Sequence, residues 1–142
     1  MTQWIRFKHE GTVGFGTLAK DTIDVYEGDM FATPSPTGAS LRREQVTTLT
    51  PTAAGKMVAL WNNSRAMAAK LGQTEPPEPL YFIKTNGSYL ATGETIRKPA
   101  SYDGKVVFEG ELGIVIGTVC RGVREADSAH YIFGFTCIND VT

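Results

Sequence analysis

The segment Val106-Val107-Phe108-Glu109-Gly110-Glu111-Leu112-Gly113-Ile114-Val115-Ile116-Gly117 decides how this 142-residue chain is read. It is apolar and β-branched enough for a strand, and the longest strand expected here runs from Val106 to Val119. Side chains alternate across a strand. Val106, Phe108, Gly110, Leu112, Ile114 and Ile116 therefore share one face, which reads as a core face. Val107, Glu109, Glu111, Gly113 and Val115 share the other, with Gly113 leaving open space beside Glu111. Same-face neighbours on a strand lie roughly 7 Å apart. Two carboxylates at that distance repel by on the order of 2 kcal/mol at an effective dielectric of about 20, and burial adds a desolvation cost. Three arrangements relieve this: a face open to water, one acid holding its proton, or a cation between the two. Taken alone, such a pair is most often a solvated face.

Asp140 shifts that balance. Arg124 to Tyr131 reads as a short helix with Ala126, Ala129 and Ile132 on its buried side. Phe133 to Ile138 reads as the next strand, with Asp140 just past its end. A strand–helix–strand return can bring that carboxylate back beside the glutamates. Three oxygen ligands without Cys or His suggest a hard cation, Mg²⁺ or Mn²⁺, with Ca²⁺ as an alternative. Neither His9 nor His130 has a useful spacing to the acids, which disfavours zinc.

Outward from this segment, the chain is β-rich. Trp4 to Phe7, Thr12 to Leu18 and Ile23 to Tyr26 read as short strands, with a turn at Lys20-Asp21-Thr22. Gly11, Gly14 and Gly16 match no phosphate-loop pattern. Thr33 to Ser40, with two prolines and a glycine, reads as a loop. A small N-terminal β module is expected over residues 1–54, followed by a second part over 55–142. Lys56 to Trp61 reads as a buried strand. Ser64 is an N-cap for a helix through about Leu71, and Gly72 is its stop. The Pro-rich stretch Glu75 to Pro79 reads as a rigid connector. Leu80 to Lys84 returns to strand, Thr92-Gly93 forms a turn, and Tyr102-Asp103-Gly104-Lys105 carries a hairpin-type signal. The class is α+β, mainly β.

Composition bounds the function. Hydrophobic residues make up 42% of the chain and the net charge is −1. No basic stripe offers a nucleic-acid footprint. No apolar run is long enough to span a bilayer, and Met1 to Glu10 do not form a signal peptide. Cys120 and Cys137 are too far apart in sequence for a CxxC pair and too few for a disulfide framework. The expectation is a soluble cytoplasmic protein with free thiols.

Phe108 to Gly117 resembles the ExELxxVIG segment of the fumarylacetoacetate hydrolase family, and Gly134 to Thr142 resembles its GYTxxNDxT segment. Leu80-Tyr81-Phe82-Ile83-Lys84 is similar to the family's LxFxK strand, and Arg97-Lys98-Pro99 to the proline-bearing stretch after it. The resemblance implies the start of a mixed-sheet catalytic fold behind an N-terminal module. It implies Mg²⁺ or Mn²⁺ on Glu109, Glu111 and Asp140. It also implies chemistry on acylpyruvate-like 2-oxo acids, by C–C hydrolysis, isomerisation or decarboxylation through a metal-stabilised enolate, in aromatic-compound catabolism. A hard cation on the 2-oxo-carboxylate oxygens polarises the ketone and stabilises that enolate. A homodimer is implied as well.

Two departures qualify the resemblance. Relatives often carry a histidine, acting as general base for water, near the segment matching Asn62 to Arg65. Here Ser64, Arg65, Ala66 and Met67 occupy that stretch, so no catalytic base is assigned. Arg65 and Lys84 are candidates for binding a substrate carboxylate, although a solvated helix arginine is the more common reading of the first and an ordinary strand-end lysine explains the second equally well. The chain also ends two residues after Asp140, where the family continues with the rest of its catalytic domain. It therefore reads as a truncated front half, expected to fold poorly or to associate when alone and to need the missing C-terminal half. The alternative function is a truncated, non-catalytic family member acting as a partner subunit.

Overall fold

The computed structural model describes residues 1–142. Its β-strands are β1 (Trp4–His9), β2 (Thr12–Ala19), β3 (Thr22–Glu27), β4 (Ser35–Arg42), β5 (Thr47–Thr48), β6 (Met57–Trp61), β7 (Leu80–Lys84), β8 (Phe108–Ile116) and β9 (Ile132–Val141). One α-helix, α1, spans Arg65–Lys70, and short 3₁₀ turns lie at Arg43–Gln45, Asn86–Ser88 and Glu125–Tyr131. Every strand pairing is antiparallel. The chain forms two compact units. One joins residues 1–52 with 90–142, and the other is residues 53–89.

In the larger unit, five strands form a sheet in the order β4-β3-β2-β1-β5. The first three follow from alternating apolar residues separated by tight turns. Ile5, Phe7, Leu18 and Ile23 are buried there, with Val25, Leu41 and Val46 packed against them. This cluster is the only sizeable core in the chain.

β4 corrects the expectation of a loop over Thr33 to Ser40. Its Pro and Gly residues have low strand propensity, but it lies at the sheet edge, where a proline removes no needed hydrogen bond. Pro36 pairs with Tyr26 beside a bulge. The Ser40 hydroxyl donates to Asp24 Oδ1 at 2.8 Å, and the Thr37 hydroxyl donates to the Val25 carbonyl at 3.0 Å. Pairing with β3 overrides local preference.

The same unit holds the antiparallel ribbon β8–β9. The expected helix between its strands is a 3₁₀ turn with no buried residue, and Ala126 and Ala129 are exposed. A three-residue repeat does set those two alanines on one side, but nothing packs over that side to bury them. The hairpin signal at Tyr102 to Lys105 is also not realised. Residues 89–107 contain no strand, so there is nothing for such a turn to connect.

In the smaller unit, β6 and β7 form a two-stranded sheet with Met57 opposite Lys84 and Trp61 opposite Leu80. The Ser64 hydroxyl accepts from the Met67 amide and caps α1. Gly72, at φ +66°, ends it in the left-handed region that glycine tolerates. β6 was expected to be buried, yet Val58, Leu60 and Trp61 are exposed, because a two-stranded sheet has too little around it to cover its faces. No helix in the chain is long and apolar enough to cross a membrane.

The expected core face of β8 is open in the same way. Phe108 is 80% exposed and Leu112 is 67% exposed, with Ile114 and Ile116 similar. Phe135 on β9 adds to this face. A contiguous apolar surface of this kind favours association. Sedimentation or size-exclusion runs across a dilution series are expected to show concentration-dependent species, and replacing Phe108, Leu112 and Ile114 together by Thr is expected to suppress them. A monomer at all concentrations would contradict this.

Candidate metal centre

The ribbon brings the three predicted acids together directly. In the β8–β9 register Glu109 lies opposite Asp140, and Glu111 lies opposite Ile138. Asp140 was expected just past a strand end. It sits inside β9 instead, because β9 runs on to Val141 and the backbones of Val107 and Thr142 exchange both hydrogen bonds. Direct cross-strand partners have Cβ atoms about 4.5–5.5 Å apart. Glu109 and Asp140 therefore meet across the ladder, while Glu111 joins them from the next position along the same face.

One carboxylate oxygen from each of Glu109, Glu111 and Asp140 lies within 4.8 Å of the others. Asp140 is 6% exposed, Glu111 is partly exposed and Glu109 is open to solvent. Charges at that spacing repel by about 3 kcal/mol per pair at an effective dielectric of 20, and by less than about 1 kcal/mol in open water. Solvent at Glu109 brings its pairs toward the lower figure, whereas the Glu111–Asp140 pair is less screened. No other group of three or more His, Cys, Asp or Glu residues converges in this chain, so both histidines and both thiols lie outside this one. The donor set is all oxygen, with one buried anchor and one solvent-facing member. That suits a hard divalent cation that keeps open coordination positions.

Gly113 has a different role from the one expected. The space over it is filled rather than open. A Cβ there would lie 2.7 Å from Ile138 Cδ1 and 2.8 Å from Thr136 Cγ2. Gly113 and Thr136 are direct cross-strand partners, so the missing side chain lets the β9 side chains lie down beside the acids.

The two substrate-binding candidates lie in the unit formed by residues 53–89. Arg65 opens α1, with its side chain 85% exposed and its Nε 3.1 Å from Glu75 Oε1. Lys84 closes β7, with its ammonium 5.2 Å from the Phe82 ring centre.

The family profile described as fumarylacetoacetate (FAA) hydrolase C-terminal matches residues 56–142, and a profile described as Rv2993c-like, N-terminal matches residues 2–51. Protein Rv2993c of Mycobacterium tuberculosis is 38% identical over 112 residues, which are 79% of this chain and 42% of that protein. The 4-hydroxyphenylacetate degradation bifunctional isomerase/decarboxylase of Salmonella dublin is 36% identical over 98 residues, 69% of this chain and 23% of that protein. The crystal structure of 2-hydroxyhepta-2,4-diene-1,7-dioate isomerase from Mycobacterium marinum superposes with a TM-score of 0.86 at 30% identity, covering 100% of this chain and 55% of that one. The chain thus spans about half or less of the length of these relatives.

Gly113→Val is expected to destabilise the ribbon unit by about 1–3 kcal/mol through overpacking against Thr136 and Ile138. Denaturant melts of the two proteins measure it, and an unchanged midpoint would show that the space is not filled in solution.

Proposed function

Since this chain belongs to the fumarylacetoacetate hydrolase family, we propose that Glu109, Glu111 and Asp140 hold a divalent cation, Mg²⁺ or Mn²⁺, in an enzyme acting on an acylpyruvate-like 2-oxo acid. The observation that carries the proposal is the convergence of three carboxylate oxygens within 4.8 Å on one face of the ribbon. When bound, the cation supplies Lewis-acid polarisation of the substrate's 2-oxo and carboxylate oxygens. Asp140, buried and held in the ladder, fixes the inner side of the site. Glu109, on the solvent side, leaves room for substrate to approach.

Relatives named as isomerases or as an isomerase/decarboxylase support isomerisation or decarboxylation, and others named putative hydrolase support C–C hydrolysis; residues of this chain favour the first. A 2-hydroxydienoate is the enol form of a 2-oxo acid, so its isomerisation moves one proton from oxygen to carbon and consumes no water. Asn62 to Met67 contains no histidine to activate water, which agrees with a reaction that needs none. The same names favour an enzyme over a non-catalytic partner subunit. Lys84 and Arg65 are proposed to bind the substrate carboxylate. For Arg65 this means exchanging its Glu75 partner for the ligand.

Mn²⁺ titration followed by electron paramagnetic resonance tests the site. Glu109→Gln and Asp140→Asn are each expected to weaken binding by at least about tenfold, the lower end of what even outer partners of a metal site contribute. Equal affinity in both variants would remove the assignment. Keto–enol conversion of oxaloacetate, followed by ultraviolet absorbance with Mg²⁺ present, tests the reaction class. Hydrolytic C–C cleavage of an acylpyruvate without any tautomerase or decarboxylase turnover would favour the hydrolase reading instead.

A further inference from the structure

The register of β8–β9 decides whether the three acids meet, and the ribbon itself pins that register weakly. A one-residue slip would send Asp140 to the face opposite Glu109, and a two-residue slip would set it across from Val107 or Glu111 in place of Glu109. Burial usually prevents such slips, because moving a hydrophobic set into water is costly. Here the apolar set of Phe108, Leu112, Ile114 and Phe135 already faces water, so burial gives little discrimination.

A bulge at the far end supplies what is missing. Val115 pairs with Gly134 and Ile116 pairs with Ile132, which leaves Phe133 as the extra residue of β9. Bulges re-aim side chains, and this one sends Phe133 into the N-terminal segment. Its ring packs edge-on to Phe31 at 4.8 Å, with an interplanar angle of 75°, and lies 6.2 Å from Trp4. Trp4 is held in turn by Tyr26 at 5.1 Å and Phe15 at 6.1 Å. Gly117 makes room for the bulge, since a Cβ there would lie 2.8 Å from Phe133 Cβ, and its amide donates to the Tyr131 carbonyl at 3.0 Å.

We propose that Phe133 is a positioning residue for the carboxylate triad: seated between Trp4 and Phe31, it fixes the bulge and locks β9 in the register that sets Asp140 across from Glu109. The N-terminal β module then serves the site without contributing a ligand, as an anchor for the strand that carries one. The metal-affinity part of this inference rests on the function proposed above, whereas the register part does not.

The register can be read chemically, because Cys137 lies directly opposite Leu112. Cross-strand Cα separations of about 4.5–5.5 Å fall within the range that a disulfide bridges. In a Cys120→Ser background, Leu112→Cys is expected to oxidise readily to Cys137 under diamide, whereas Gly110→Cys and Ile114→Cys report slips of two residues and are expected to react poorly. Adding Phe133→Ala is expected to spread cross-linking over positions 110, 112 and 114 and to weaken Mn²⁺ binding at least about tenfold. Phe133→Tyr, which keeps the ring, is expected to restore both. Phe31→Leu, a milder loss of the same contact, decides the matter if Phe133→Ala does not fold. Cross-linking that remains confined to position 112 in both Phe133→Ala and Phe31→Leu would overturn the proposal, whatever the Mn²⁺ result. Spread cross-linking in a protein that binds no Mn²⁺ at all would sustain the register role and remove only the metal reading.

Discussion

The direct cross-strand pairing of Glu109 with Asp140 is the constraint on which the rest of this structure depends. Two carboxylates face to face across a ladder are an unfavourable arrangement in a plain sheet. With Glu111 one step along the same face, the arrangement becomes a three-oxygen cradle. The neighbouring sequence is consistent with it. Gly113 carries no side chain, so Ile138 and Thr136 can fold over the strand beside the acids. Phe108, Leu112 and Ile114 flank the acids in sequence, yet alternate to the opposite face. The fumarylacetoacetate hydrolase family profile covers this entire ribbon, so the cradle lies within the matched segment rather than in an appendage to it.

Much of this was legible in the residues. Strand parity put both glutamates on one face, and the structure keeps them there. The spacing to Asp140 suggested a return, and the return exists. Its form was harder to foresee. Asp and Asn have low strand propensity, so a strand edge before Asn139 is the natural reading. Backbone pairing with Glu109 and Gly110 carries β9 through both residues. β4 was missed for the same reason, since its hydrogen bonds come from β3 and not from any preference of Pro, Ser or Gly.

Burial was the least legible property. Alternation in β8 shows that its two faces differ, and β6 is apolar almost throughout, but neither pattern says what covers those faces. Phe108, Leu112 and Ile114 look like core residues by every local criterion, and they face water here. Hydrophobicity along a strand specifies a demand for a partner layer, and tertiary context decides whether that demand is met. The N-terminal sheet meets its own demand, with Ile23 wholly buried. The bulge at Phe133 had no sequence signature at all, because one glycine between two phenylalanines near a strand start fits many local geometries.

The way the larger unit is assembled has a consequence for the chain's entropy. Its two segments, residues 1–52 and 90–142, come together only when the chain between them closes as a loop. Were residues 53–89 a flexible loop, closure would cost about 3 kcal/mol, and each doubling in length would add only about 0.6 kcal/mol; the β6–β7 pairing lowers that cost by setting Met57 opposite Lys84 near the two ends of the segment. Contacts such as Trp4 with Phe133, drawn from opposite ends of the chain, must offset this, whereas the hairpins of β1, β2 and β3 form locally and carry no such cost. The logarithm makes the connection between α1 and β7, residues 71–79, a permissive stretch. It can gain or lose length with little thermodynamic effect on the carboxylate cradle, so the strand pair bearing the acids and the sheet that anchors it can stay together while that connection varies.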